Sequence, residues 1–278
     1  MSETIGVINP GEMGAGIAGS LVLSGNAVLW AGEGRSEETK RRAKEVGLVD
    51  VGDLATLVER CEIILSICPP HAALDVARDV AGFRGVYVDA NAISPSHASE
   101  VASIVESAGA SYVDGGIIGA PPPSKSTHVF FSGAGAAVLT NLFLGAEIPT
   151  SLLEQGPFAA SATKMAYAAW NKGTLAMMLG IRAMAKANGV EDPLVGVWAA
   201  TAPDLLKVGQ RAARQAEDRG WRWDGEMAEI AATFVDAGLP GGFHEAAGEI
   251  YSRVPRKMDA AVDEATLSEV LELILRRG

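Results

Sequence analysis

The chain is poor in the residues that build metal centres and disulfide frameworks, with two cysteines and four histidines in 278 residues. Cys61 and Cys68 have no His pair at ligand spacing, so no metal site is expected, and both read as buried thiols in or beside an apolar run. Positive charge is also scarce: 23 Lys and Arg face 34 Asp and Glu, for a formal net charge of -11. With no basic excess to neutralise phosphates, neither a nucleic acid nor an acidic membrane surface is expected as a partner. No uninterrupted apolar run reaches the ~18 residues that cross a bilayer, and no charged-then-apolar leader precedes Ile5. A cytoplasmic protein acting on a small molecule is the expectation.

What the chain does contain, near its start, is an apolar strand that runs through a glycine-rich turn straight into a helix, from Ile5 to Ala18. That arrangement suits a dinucleotide diphosphate. Within Asn9-Pro10-Gly11-Glu12-Met13-Gly14, Gly11 lets the backbone approach the diphosphate and Gly14 lets the helix pack close to the strand. The N-H groups of the helix start would receive the anion. Asn9 stands where the first glycine of a G-x-G-x-x-G pattern belongs, and Asn is among the few side chains that tolerate a left-handed backbone.

Apolar residues make up 48% of the chain, enough for a sizeable core, and the length favours two domains. The first half alternates β-branched runs with amphipathic stretches, the pattern of an α/β doubly wound Rossmann sheet. Strands are expected at Thr4–Ile8, Ala27–Ala31, Glu62–Cys68, Val86–Ala90, Ser111–Asp114 and His128–Ser132. Beyond about Gly156 the strand signals stop and Ala-rich helical periodicity takes over. The expected division is a dinucleotide-binding domain over residues 1–155 and an all-α substrate and dimerisation domain over 156–278. A long interdomain helix, Phe158–Ala187, joins them, and further helices are expected at Pro203–Asp218, Gly225–Asp236, Gly242–Ser252 and Asp263–Arg276.

The candidate ligand groups follow the strand ends. After the second strand, no carboxylate occupies Leu29-Trp30-Ala31-Gly32, and Gly34-Arg35-Ser36 offers a guanidinium fork and a hydroxyl suited to a 2'-phosphate. NADP(H) is therefore expected over NAD(H), although the charge of Glu33 would oppose a nearby phosphate. Ser36 also reads as the N-cap of a helix Glu37–Val46. Cys68-Pro69-Pro70 is a stiff turn that either walls the cofactor or simply starts a helix. Asn91 follows the next strand and could reach the nicotinamide or substrate, while Ser94-Pro95 reads as an N-cap with a first-turn proline. The apolar loop from Asp114 to Pro123, with Gly116, Ile117 and Ile118, is either substrate lining or a structural turn.

On the long helix, Lys164 and Asn171 fall within about 20° of each other, with Tyr167 and Lys172 nearby. A partly desolvated lysine can deliver the proton that a carbonyl needs as hydride arrives. The same lysine also reads as a snorkelling surface residue. Trp221, Met227 and His244 stand near helix entrances, as core, subunit interface or substrate pocket.

Together these residues resemble the β-hydroxyacid dehydrogenase superfamily, which includes 3-hydroxyisobutyrate dehydrogenase, tartronate semialdehyde reductase and 6-phosphogluconate dehydrogenase. The resemblance spans nearly the whole chain. Gly6 to Gly14 is similar to the cofactor signature, Ile63 to Pro69 and Asp89 to Pro95 to the next two cofactor loops, and Gly156 to Lys164 to the segment ending in the catalytic lysine. Gly34-Arg35-Ser36, the Asp114 to Pro123 loop, Lys164 to Gly173 and Trp221-Arg222-Trp223 resemble a phosphogluconate-dehydrogenase-like subgroup with a helical C-terminal domain. The resemblance implies an NADP-binding Rossmann domain, a helical second domain, and a homodimer whose subunits complete each other's sites.

Two departures stand out. Ile118-Gly119-Ala120 replaces the serine-glycine-glycine element that holds a substrate carboxylate, and Ala168 replaces the asparagine one turn after the lysine. Asn171 lies about 10.5 Å from Lys164 along the helix axis. The resulting expectation is an NADPH-dependent dehydrogenase or reductase of a carbonyl or secondary alcohol, with Lys164 as general acid and base and Asn171 orienting the substrate oxygen. An NADPH-dependent imine reductase and a non-catalytic NADPH-binding or sensing protein are the alternatives.

Overall fold

Among the described residues, eight strands form one sheet: β1 (Thr4–Ile8), β2 (Ala27–Trp30), β3 (Val49–Asp50), β4 (Ile63–Ser66), β5 (Val86–Asp89), β6 (Ser111–Ile118), β7 (His128–Ser132) and β8 (Thr150–Leu153). Their order across the sheet is β3-β2-β1-β4-β5-β6-β7-β8. The computed structural model describes residues 4–146, 148–257 and 264–276. It divides into two compact units, Met1–Met165 and Ala166–Gly278.

In the first unit the strands from β3 to β6 all run parallel, linked by α1 (Glu12–Leu23), α2 (Glu37–Glu45), α3 (Leu54–Arg60), α4 (Ala73–Asp79) and α5 (Pro95–Ser107). Parallel pairing needs such crossovers, because a tight hairpin cannot join the end of one strand to the start of its neighbour. β1 has β2 on one side and β4 on the other, so the direction of winding reverses there. A crevice at the carboxyl ends of β1 and β4 is the usual ligand position in such a sheet. β7 runs antiparallel to β6, and after α6 (Ala136–Leu142) β8 runs parallel to β7.

Both sheet faces are covered. Ile5, Val7, Val28, Trp30, Leu65 and Val113 pack in one core cluster, and Ile8, Leu29, Ile64, Tyr87 and Tyr112 in the other. This period-two division is what a sheet buried on both faces demands. Helix starts follow the sequence: Ser36, Asp53 and Ser94 accept from the backbone N-H of Thr39, Thr56 and His97, and Pro95 occupies the first turn of α5.

The differences from the expected elements have local causes. β6 runs on to Ile118 rather than stopping at Asp114, because the antiparallel ladder with β7 holds Gly115 through Ile118. β4 ends at Ser66 rather than Cys68, since the Cys68 N-H leaves the ladder to donate to Asn91 Oδ1 at 2.6 Å. β3 and β8 were not expected; β3 is two residues long and exposed, so no alternation marks it.

The second unit holds the greater part of α7 (Ala159–Ala187), then α8 (Glu191–Thr201), α9 (Asp204–Arg219), α10 (Trp223–Asp236), α11 (Gly242–Ser252) and α12 (Glu264–Leu275). Asp263, the expected first residue of the last helix, lies outside the described residues. α10 packs on α11 and α9 on α12. Trp223 meets Tyr251 edge-on at 4.9 Å, and the Tyr251 hydroxyl donates to the Lys172 carbonyl at 2.7 Å. The buried Lys172 ammonium pairs with Glu226 and lies 5.3 Å from the Trp223 ring. α8, absent from the expected elements, buries no residue. Among the described residues no helix is long and apolar enough to cross a membrane, and no group of three or more His, Cys, Asp or Glu is placed to hold a metal ion.

Candidate functional site

The turn after β1 has the geometry that an anion-binding helix start requires. Asn9 takes the left-handed conformation at φ 59, doing the work of the missing glycine. Gly11 is the N-cap of α1 and donates to the Asn9 carbonyl at 2.6 Å; no side chain caps the helix. The N-H groups at such a helix start point toward an approaching anion. A Cβ on Gly14 would stand 2.9 Å from the Asn9 carbonyl oxygen, so only glycine lets the helix lie this close. The Asn9 Oδ1 atom is buried without a hydrogen-bond partner among the described residues. The glycine turn and the uncapped helix start together fit a dinucleotide diphosphate.

Neighbouring loops close around this turn. Pro122, from the loop after β6, packs against α1 so tightly that a Cβ on Gly16 would meet its Cδ at 2.7 Å. The buried Asn91 accepts from Cys68 N at 2.6 Å and donates to Ser66 Oγ at 3.3 Å, tying the ends of β4 and β5 together. Its own N-H donates to Asp89 Oδ1 at 3.1 Å. Pro70 opens a short 3-10 turn, with Pro69 exposed before it. Burial raises the Cys68 thiol to about 12 and that of Cys61 to about 11, so neither supplies a thiolate at neutral pH.

Burial also raises the Asp89 carboxyl to about 7; Asp114 adds to the rise, and the Asn91 amide, His97 and Tyr112 oppose it. A carboxyl whose folded pKa lies above its unfolded value holds its proton more tightly when folded. Its contribution is complete below the unfolded value near 4 and is lost as pH rises through about 7. Asp89→Asn keeps the acceptor for Asn91 and removes the titration. Urea titrations at pH 4 and pH 7 should show a loss of stability between them in the parent that shrinks in Asp89→Asn by on the order of 3 kcal/mol. An unchanged difference would contradict this role.

At the end of β2 the structure supplies a carboxylate that the sequence does not show there. Asp50, paired beside Trp30 on β3, accepts from Gly32 N at 3.0 Å and from Gly52 N at 2.9 Å. Glu33 N donates to the Gly52 carbonyl and Arg35 N to the Gly32 carbonyl. Gly34 bends the chain at φ +69, the Arg35 side chain is exposed, and Ser36 Oγ accepts from Thr39 N at 3.3 Å.

The other half of the candidate site is anchored by Asp114, which no local pattern marks as an anchor. Buried in β6, it accepts from Ser132 Oγ at 2.8 Å, Ser161 N at 2.9 Å and Ser161 Oγ at 2.5 Å. Ser132 Oγ in turn accepts from Ala160 N at 3.0 Å. A carboxyl group thus caps the start of α7 from inside the sheet; burial pushes it up, and the Ser161, Ser132 and Ala160 bonds hold it down. Glycine at 116 makes the landing possible, since a Cβ there would be 2.5 Å from the Ala160 carbonyl oxygen. It would also be 3.5 Å from Lys164 Cβ, which puts the half-buried Lys164 beside the carboxyl-terminal half of β6.

Within the first unit, residues 9–14, 34–36, 68–70 and 91 thus follow the carboxyl ends of β1, β2, β4 and β5, and residues 116–118, with Lys164 beside Gly116, form the carboxyl end of β6. Ile117 faces the core and Ile118 is half-buried. In the second unit Tyr167 and Asn171 are exposed on α7, and Trp221 is exposed with the Arg256 guanidinium 5.0 Å from its ring. Met227 is fully buried. His244 is buried against Gly173, between Phe234 at 4.5 Å and Phe243 at 5.0 Å.

Comparison with known proteins agrees with this geometry. Residues 4–93 match the family model described as NADP oxidoreductase coenzyme F420-dependent, and residues 185–254 match a domain of unknown function, DUF1932. An uncharacterized 28.5 kDa protein of Methanothermus fervidus is 29% identical over 166 residues, 59% of this chain. The match spans 64% of that protein, less than two thirds of its length. The crystal structure of 3-hydroxyisobutyrate dehydrogenase from Salmonella typhimurium superposes with a TM-score of 0.70 at 16% identity, covering 98% of this chain and 100% of that one. An imine reductase from Streptomyces aurantiacus superposes at 0.56 and 19% identity, covering 99% and 100%. At these identities the likeness to solved structures is one of fold. The chain thus shares the two-domain fold of these dehydrogenase and imine reductase structures, and its N-terminal sheet carries the family model of an NADP oxidoreductase.

Proposed function

We propose that the protein is a nicotinamide-dinucleotide-dependent oxidoreductase that moves hydride between the cofactor and a carbonyl or secondary alcohol. The observation that carries this reading is Lys164, held beside Gly116 by the Asp114 cap in the same unit as the diphosphate turn. A bound nicotinamide dinucleotide supplies the hydride. Gly11, Met13 and Gly14 seat the diphosphate on the start of α1, and Asn91 fixes the two loops that flank it. Lys164 Nζ donates a proton to the carbonyl oxygen as the alcohol forms and takes it back in the reverse direction. Arg35 and Ser36, past the end of β2, stand where the adenosine ribose of the dinucleotide would lie.

A homodimer accompanies this reading. It is supported by large apolar side chains left exposed on the second unit, Trp170, Met177, Met184 and Val197 among them.

The second reading is reduction of an imine. It is favoured by the fold shared with an imine reductase and by the apolar, half-buried Ile118 at the strand end. Against it, a cationic lysine facing an iminium ion is unfavourable. A non-catalytic dinucleotide-binding protein is the third.

The test is dinucleotide oxidation, with NADH and with NADPH, against semialdehydes, keto acids, bulky ketones and preformed cyclic imines. Turnover of a carbonyl is the expected result. Turnover of imines alone would transfer the case to the second reading, and tight binding without turnover to the third.

A further inference from the structure

We infer that Asp50 is the residue that reads the adenosine ribose, and that it sets a preference for a dinucleotide without a 2'-phosphate. The inference rests on the dinucleotide reading above. In a Rossmann sheet the ribose hydroxyls are met by an acid at the end of β2, about 20 residues past the glycine turn. Here that place falls on Gly32, which has no side chain. Asp50 fills the gap from the neighbouring strand: its Oδ2 atom lies 2.1 Å from where the Cβ of residue 32 would be. Its position is fixed, because Oδ1 accepts from both Gly32 N and Gly52 N. Asp50 is an exposed residue, and because both backbone bonds fall on Oδ1, Oδ2 is the oxygen available to a ligand.

Two of the backbone donors that a phosphate could use at this turn are already taken. Gly32 N is held by Asp50, and Glu33 N by the Gly52 carbonyl at 2.9 Å. The Ser36 and Thr39 hydroxyls pair with each other at 3.0 Å. One guanidinium, Arg35, would remain to balance a phosphate against the carboxylates of Asp50 and Glu33. A ribose diol, by contrast, donates to a carboxylate and meets no repulsion.

Calorimetric titration of NADH and NADPH into the parent protein and Asp50→Asn tests this without reliance on turnover. Asn keeps the Oδ1 acceptor for Gly32 and Gly52 and removes the charge. The parent should bind NADH at least tenfold more tightly than NADPH, and Asp50→Asn should move that ratio at least tenfold toward NADPH. A parent that binds NADPH more tightly, or a ratio untouched by the substitution, would overturn the role of Asp50 and leave the dinucleotide reading standing. A parent that binds neither would overturn both.

Discussion

Asp114→Ala is expected to lower the stability of the protein by about 3–5 kcal/mol, read from the urea midpoint, since truncation would break a buried hydrogen-bond network. Three donors converge on this one buried carboxyl, from Ser132 Oγ, Ser161 N and Ser161 Oγ. Alanine removes the cost of burying the carboxyl but leaves Ser161 N and Ser161 Oγ without this acceptor, at about 1–3 kcal/mol each when unpaired, while Ser132 Oγ keeps the Pro157 carbonyl at 3.2 Å. The Ala160 N-H, which donates to Ser132 Oγ, loses its support as well. Asp114→Asn should cost less, because the amide keeps the shape and one acceptor. The activity consequence is separate: Ser161 lies one turn before Lys164, so a loosened helix start misplaces the lysine even in the fraction that stays folded. A midpoint shift corresponding to less than about 1 kcal/mol for Asp114→Ala would contradict the anchoring role.

That anchor marks the limit of what could be read from the sequence. The glycine turn was legible because its signal is local. Strand, Asn9, Gly11 and Gly14 fall within a dozen residues, and the left-handed Asn9 follows from the tolerance of that side chain. The caps at Ser36 and Ser94 were legible for the same reason. Asp114 was visible only as the start of a glycine-proline loop, because its partners lie 18 and 47 residues away and no periodicity links them.

Asp50 was hidden differently. A two-residue exposed strand carries no pattern, so the empty end of β2 suggested that no carboxylate stands there. β6 was cut short at the glycine pair, yet those glycines continue the strand and let α7 approach it. Sequence pattern read the layers and the diphosphate turn; pairing between distant strands fixed the rest.

Replacing Lys164 should give the largest effect on activity. A carbonyl oxygen that accepts hydride at its carbon becomes a strongly basic alkoxide, and a positioned acid accelerates the step by roughly 10²–10⁴-fold. Lys164→Met keeps the length and apolar stem of the side chain and removes only the ammonium. The diphosphate turn and the ribose end of β2 are built from other residues, so dinucleotide affinity should change by less than about threefold, under 1 kcal/mol. For an iminium substrate the loss of a facing cation would leave turnover unchanged or raise it. The most direct measurement is therefore kcat on the best carbonyl substrate for the parent and Lys164→Met, with the dinucleotide dissociation constant determined on the same samples. A fall in kcat of at least about 100-fold with binding intact is the predicted result. Equal carbonyl turnover in the two proteins would contradict the assignment of Lys164 as the proton donor.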